Sequence, residues 1–216
     1  MRIENELLYT TSQLGPNLTV AKNIAYEQYY EILDVLNEVI QSKDILSRFL
    51  KIYHILEFLS YRVLLVQVVE KTQKSKTFVR EILKFSDNIM RKSEKQIFVD
   101  NFKSIFEMDA SHFKSQITAH KPKEVRAFIK DNFNISFDPT NITLLANLIY
   151  DIRCSIVHNK ASELHFTISN PEDYRLIIEL IKQLIKALEY LIVKKISTST
   201  KQTNIIQYPI GNLDLY

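Results

Sequence analysis

Two glycines in 216 residues, Gly15 and Gly211, constrain this chain more than any other feature. Glycine supplies the positive φ angles of hairpin turns and lets a backbone close around phosphate. With none between residues 16 and 210, all-β architectures and glycine-rich phosphate loops are poor candidates. Long helices joined by polar turns remain. The composition, 46% hydrophobic and 25% charged, is that of an ordinary globular protein, and the length suits one domain with room for a small second lobe. With 12 Phe, 11 Tyr and no Trp, the core is expected to be filled with rings.

The apolar pattern supports that reading. Residues 1–18 read as an N-terminal arm, with Gly15-Pro16-Asn17 as a turn. From Thr19 to about Gln41, residues such as Ile32, Leu33, Leu36 and Val39 recur at helical spacing. Between about Ile45 and Thr72 apolar residues cover most of the circumference, as in a helix at the centre of a bundle. Residues 77–133 predict shorter helices: Phe78 to Met90, Glu94 to Met108, a weakly patterned piece near Ser111 to Ala119, and Lys123 to Phe133 behind Pro122. This stretch reads as a helical insert packed beside the main bundle. Asp138-Pro139-Thr140 predicts the cap of a helix running through Leu145, Ile149 and Ile152 towards His158. Asn170-Pro171-Glu172 opens a last helix to about Ile196, and residues 198–216 form an extended tail. No internal repeat is present. The economical fold is all-α, an up-and-down helical bundle over residues 19–197 with extra helices in the middle of the chain.

Charge and cysteine usage narrow the setting. A net charge of +3 tolerates a polyanion without demanding one. Cys154 is the sole cysteine, which excludes an internal disulfide and a cysteine-based zinc cluster and fits a reducing compartment. The first residues lack the apolar run of a signal peptide. The apolar stretches Ile52 to Val69 and Leu176 to Val193 carry Glu57, Arg62, Glu179 and Lys182, so they read as core helices, and no membrane partner is expected. The expected location is cytoplasmic.

Chemistry-bearing groups gather in Tyr150-Asp151-Ile152-Arg153-Cys154-Ser155-Ile156-Val157-His158-Asn159. Arginine grips a phosphate with two charge-assisted bonds at once. Histidine moves a proton near neutral pH. Together they suffice for transesterification of RNA by its own 2′-hydroxyl, a reaction that needs no metal and no cofactor. Geometry adds a constraint: five residues at ~100° each leave Arg153 and His158 roughly 140° apart on a straight helix. Either the helix ends before His158 and the chain turns it back, or two copies pool their residues across a two-fold interface. Asn159 suits a helix C-terminus.

Arg153, four intervening residues and His158, on the penultimate long helix of an all-α chain, resemble the Arg-x4–6-His signature of the HEPN superfamily. Tyr150, the Ile156-Val157-His158-Asn159 ending, a short loop with His165 and the long final helix resemble it as well, and Tyr53-His54-Ile55-Leu56-Glu57-Phe58 is similar to an early core helix of some members. The likeness covers roughly residues 44–70 and 138–197. It implies a bundle that dimerises around a composite site, in a family rich in metal-independent endoribonucleases of toxin–antitoxin, abortive-infection and CRISPR-linked antiviral defence systems. It implies Arg153 as the phosphate-orienting residue, His158 as the proton-transfer residue, RNA as substrate and an antitoxin or defence-system partner. Active members often carry Asn, Asp or His after the arginine, where this chain has Cys154. Ser155 or Asn159 are candidates to supply that polar contact.

Structural readings stand beside these. Arg153 can pair with Asp151 or Glu163, and His165 can pack next to Phe166. Glu57 needs a partner in an apolar helix, from His54, Tyr61 or Arg153, the last of which would orient the arginine. His54, His112 and His120 lack metal-ligand spacing. A Cys154 nucleophile lacks a base. Lys71 to Lys76, Arg91, Lys92, Lys95, Lys194 and Lys195 are solvated faces or, if RNA binds, phosphate contacts. The competing functions are a catalytically silent HEPN-like module binding RNA, a nucleotide or a partner protein, and a helical adaptor docking through its Ile205 to Tyr216 tail.

Overall fold

The computed structural model of the protein describes residues 29–74, 78–117, 122–158, 171–197 and 205–207. Among them the regular structure is helical throughout. The order is α1 (Tyr30–Gln41), α2 (Ile45–Lys74), α3 (Phe78–Met90), α4 (Glu94–Phe106), a 3-10 turn (Glu107–Asp109), α5 (Ala110–Ile117), α6 (Pro122–Phe133), α7 (Ile142–His158) and α8 (Pro171–Ser197). The all-α bundle expected from the sequence is the observed fold. The arm over residues 1–18, the start of the first helix at Thr19, and residues 198–204 and 208–216 of the tail lie outside the described residues.

Helix α2 is the axis. Its apolar residues point in all directions, and Phe49, Ile52, Tyr53, Leu56, Leu59 and Val63 are all buried. It packs against α1, α3, α4, α7 and α8. Ile45–Glu70, with a mean hydropathy of 1.4, has the length and composition of a membrane span, and more than half of its most apolar window is buried inside the bundle. Helix α8 buries one continuous stripe, from Ile177 through Leu184 and Leu191 to Ile196, against α2, α5 and α6. The middle of the chain belongs to the same core: Phe98, Phe102, Phe106, Phe113 and Ile129 join it, and the Phe102 and Phe106 ring centroids are 4.7 Å apart.

Polar side chains set the helix ends. Asp44 Oδ2 accepts from the Ser47 backbone N–H at 2.7 Å and starts α2. Ser93 Oγ accepts from the Gln96 N–H at 3.2 Å and starts α4. Pro122 and Pro171 each occupy a first helical position, where a missing N–H costs nothing. Asn134, at φ 53°, takes the left-handed conformation that ends α6.

The start of α7 corrects the sequence reading by three residues. Asn141 is the cap, with Oδ1 accepting from the Leu144 N–H at 3.1 Å. Asp138 is engaged one turn earlier, its Oδ1 accepting from the Thr140 N–H at 2.9 Å and the Thr140 hydroxyl at 2.8 Å.

Two buried polar contacts tie distant segments together. Arg62, 5% exposed, donates from Nε to the Ile206 carbonyl at 2.7 Å and lies over the Tyr29 ring at 4.9 Å. Asp109, also 5% exposed, takes Lys194 at 3.1 Å and Lys195 at 2.7 Å from the last turn of α8.

Candidate functional site

The second half of α7 presents Tyr150, Asp151, Arg153 and Cys154, all half-buried, towards α2 and α4. These helices converge because each contributes rings to one seam. Tyr53 stacks on Phe98 with centroids 5.1 Å apart, and Tyr150 meets Phe98 at 5.9 Å and Tyr53 at 6.4 Å. The three rings fix the height of α7 against its neighbours. Arg153 is thereby set over the Tyr53 ring, its Cζ 5.4 Å from the centroid.

Around the guanidinium the electrostatics are mixed. Burial of Arg153 opposes its charge, but the Cys154 sulfur, the Tyr53 hydroxyl and the Glu57 carboxylate outweigh it, so the guanidinium is held protonated. Glu57, one helical turn beyond Tyr53 on α2, is pushed above the ordinary carboxylate range. Burial is the main cause, Arg153 and His54 oppose the shift, and Glu94 adds to it. Burial and the nearby Glu57 charge push the Tyr53 phenol up, and burial and Cys154 push Tyr150 up to about 12, so both rings are neutral hydroxyl-bearing groups at physiological pH. Cys154 touches Tyr150 and Arg153 rather than standing apart as a nucleophile with its own base.

Lys95 completes the rim in a way the sequence does not reveal. Its Nζ donates to Asp151 Oδ1 at 2.6 Å and sits 5.7 Å from the Tyr150 centroid. Asp151 is thus partnered by a lysine on α4. Ser155 points inward: it is 6% exposed, and its hydroxyl donates to the Asp151 carbonyl at 3.0 Å, inside its own helix.

Helix α7 continues through His158. The alternative in which the helix ends before His158 and the chain turns it back is therefore not observed, and the two positions are separated by a rise of about 7.5 Å and a turn of about 140°. The His158 side chain, Asn159, Glu163 and His165 lie outside the described residues.

Between α2, α3 and α4, lined in part by the same Tyr53 that carries Arg153 over its ring, opens a cavity of about 250 Å³. Tyr53, Tyr61 and Phe98 give it aromatic walls, Leu64, Ile89 and Ile97 an aliphatic floor, and Glu57 and Glu94 two carboxylates. Sequence reasoning had singled out Glu57 but neither Glu94 nor the cavity.

The other singled-out residues lie elsewhere. His112 stacks on Tyr190 at 4.7 Å in the α5–α8 contact, and burial lowers its pKa, so it is a neutral packing group. Among the described residues no group of three His, Cys, Asp or Glu could hold a metal ion. Several basic residues are already in ion pairs: Lys92 with Asp100 at 2.7 Å, Lys95 with Asp151, and Lys194 and Lys195 with Asp109. No family model, no curated protein and no solved structure matches the chain.

Proposed function

We propose that this protein is a metal-independent endoribonuclease of HEPN type, acting as a homodimer on RNA in the cytoplasm, in a toxin–antitoxin or antiviral defence system. The observation that carries the proposal is the position of Arg153. It is a charged guanidinium set over the ring of Tyr53, a residue that lines a cavity, on a helix that ends in His158. Such a group fits a phosphodiester, whose two non-bridging oxygens match the planar fork.

In the reaction, the His158 imidazole takes the proton from the 2′-hydroxyl. The freed oxygen attacks phosphorus, and the bond from phosphorus to the 5′-oxygen breaks. The leaving oxygen takes a proton from water, and the protonated His158 returns its own to the solvent. The products are a 2′,3′-cyclic phosphate and a 5′-hydroxyl. Arg153 neutralises the charge that gathers on the phosphoryl oxygens. The division of labour needs one histidine and one arginine at the same phosphate. A straight α7 in a single copy does not bring its own Arg153 and His158 to one point, whereas a two-fold pair of α7 helices supplies two of each.

The test is cleavage of a cellular RNA pool in EDTA. Wild type is expected to cut, and Arg153→Ala and His158→Ala are each expected to lose about 100-fold or more of the rate. Equal cutting by wild type and His158→Ala sinks the proposal.

Two observations favour a silent binding module instead. Cys154 follows the arginine, and Lys92, Lys95, Lys194 and Lys195 are engaged by carboxylates rather than aligned as a phosphate track. That reading expects nucleotide or RNA binding without cleavage at any pH.

A further inference from the structure

We infer that the cavity bounded by Tyr53, Tyr61, Glu57 and Glu94 is a base-recognition site for guanine, with the attached phosphate held at Arg153. This deepens the ribonuclease reading, because it rests on Arg153 as the phosphate-holding residue and adds which nucleotide lies beside it.

Size comes first. At about 250 Å³ the cavity falls below the ~300–1,000 Å³ of pockets for drug-sized ligands. It has room for one planar base and not for a dinucleotide. Its walls suit a base: Tyr53 and Phe98 form a buried ring pair, and Tyr61 stands 63% exposed at the mouth, where an unstacked base can lie against it.

The polar groups then choose among bases. An ionised carboxylate only accepts hydrogen bonds. Guanine alone of the four common bases offers two adjacent donors on its Watson–Crick edge, the N1–H and the 2-amino group, and so meets both oxygens of one carboxylate. Adenine and cytosine each present a single amino donor next to an acceptor that the carboxylate repels. Uracil presents its N3–H between two carbonyls. Glu57, half-buried on the cavity wall, is the carboxylate for that edge, and Glu94, exposed in the first turn of α4, is a second acceptor nearer the mouth.

Charge is graded across the site in the sense a nucleotide needs. Acceptors line the cavity, while the Arg153 guanidinium lies over the Tyr53 ring from α7. A simple organic cation would find the carboxylates but would be repelled by Arg153, which acts on Glu57 from over the Tyr53 ring. A guanosine phosphate meets both signs in place.

The experiment is equilibrium binding of guanosine, adenosine, cytidine and uridine 3′-monophosphates to the full chain at neutral pH, with benzylamine as the cation probe. The 3′-GMP is expected to bind about tenfold or more tighter than the other three. Glu57→Gln is expected to bring the four within about threefold of one another. Ile89→Trp, which fills the cavity from α3, is expected to abolish binding of 3′-GMP. Circular dichroism establishes that each variant is folded, and Glu94→Gln replaces Glu57→Gln if that variant is not. Four nucleotides binding alike, none binding, 3′-GMP indifferent to both variants, or benzylamine binding tighter than 3′-GMP overturns the inference. Mononucleotide binding requires no cleavage, so loss of the ribonuclease reading leaves this test intact. RNA cleavage with no guanine preference overturns the base site and leaves the ribonuclease.

Discussion

The guanidinium of Arg153 lies over the ring of Tyr53, 5.4 Å from its centroid, so a residue on α2 sets the direction of a charge on α7. Tyr53 is 3% exposed and locked by Phe98, which makes it a rigid platform. If the ring positions Arg153 for phosphate, Tyr53→Phe keeps cleavage within about threefold, because the face of the ring is retained. Tyr53→Leu fills similar space without a π face and loses about tenfold in kcat, in line with the ~1–2 kcal/mol of a partly desolvated cation–π contact. Equal activity of the Phe and Leu variants contradicts the positioning role.

This relationship marks the boundary of what the sequence made legible. Helix ends were readable where a residue with a single local job sits at the junction. Pro122, Pro171 and Ser93 act within their own turn, and the corresponding helices start within a residue of the expected places. The α7 cap was misread because two competent residues, Asp138 and Asn141, stand in succession, and backbone geometry decides which one meets the helix. The central position of α2 was legible from its apolar circumference. The Lys95–Asp151 pair was not, since 56 residues separate the partners and helix register alone brings them to 2.6 Å. The cavity was illegible for the same reason: it is the space left where α2, α3 and α4 diverge, a property of three helices and of no single pattern.

Glu57 carries a pH signature. Its pKa is raised in the folded chain, chiefly by burial, with Arg153 from α7, Glu94 from α4 and His54 on α2 facing it. A carboxyl with a raised folded pKa binds protons more tightly when folded than when unfolded. Its contribution therefore favours the folded state below the unfolded value and weakens it as pH rises through the folded one. Glu57→Gln removes that penalty and is expected to be as stable as wild type or slightly more so at pH 7, by less than about 1 kcal/mol because the half-buried carboxyl is still partly screened by solvent. Thermal melts from pH 4 to 7 check this, with the variant gaining on wild type as pH rises. A variant that loses ground with rising pH contradicts it.

Asp109 behaves in the opposite sense. Burial alone would raise its pKa, but Lys195 and Lys194 overcome burial and hold the carboxyl below the ordinary range. Its stabilisation is fully present above the unfolded pKa and is lost as pH falls through the lowered folded value. Asp109→Asn is expected to cost about 1–3 kcal/mol at pH 7, less than a fully buried pair because Lys194 is half exposed. Urea denaturation at pH 7 measures the loss, and wild type and variant converge as pH falls below the lowered folded pKa. A neutral substitution at pH 7 means the pair contributes nothing net.

Arg62 holds the only described part of the tail. Its Nε meets the Ile206 carbonyl, its guanidinium lies over Tyr29 and 5.9 Å from the Phe58 ring centroid, and Ile206 is itself 2% exposed. Arg62→Met keeps the packing volume and removes the donor. It is expected to cost about 1–3 kcal/mol and to raise hydrogen exchange at residues 205–207 before exchange in α2 changes. Uniform loss of protection across the bundle would instead mean that Arg62 serves the core as a whole and not the tail.

The composite site can be tested by complementation. A chain with Arg153→Ala retains His158, and a chain with His158→Ala retains Arg153. If one chain's arginine works with the other chain's histidine, a mixed dimer has one complete site and one site lacking both groups. Random co-assembly makes half of the dimers mixed, so a co-expressed preparation is expected to recover about a quarter of wild-type activity, while each homodimer stays inactive. If each chain's pair works alone, every site in the mixed dimer lacks one group and nothing is recovered. Recovery therefore separates a shared cleft from two independent ones. Its absence in a preparation proven to contain mixed dimers requires α7 to bend so that Arg153 and His158 of one chain meet.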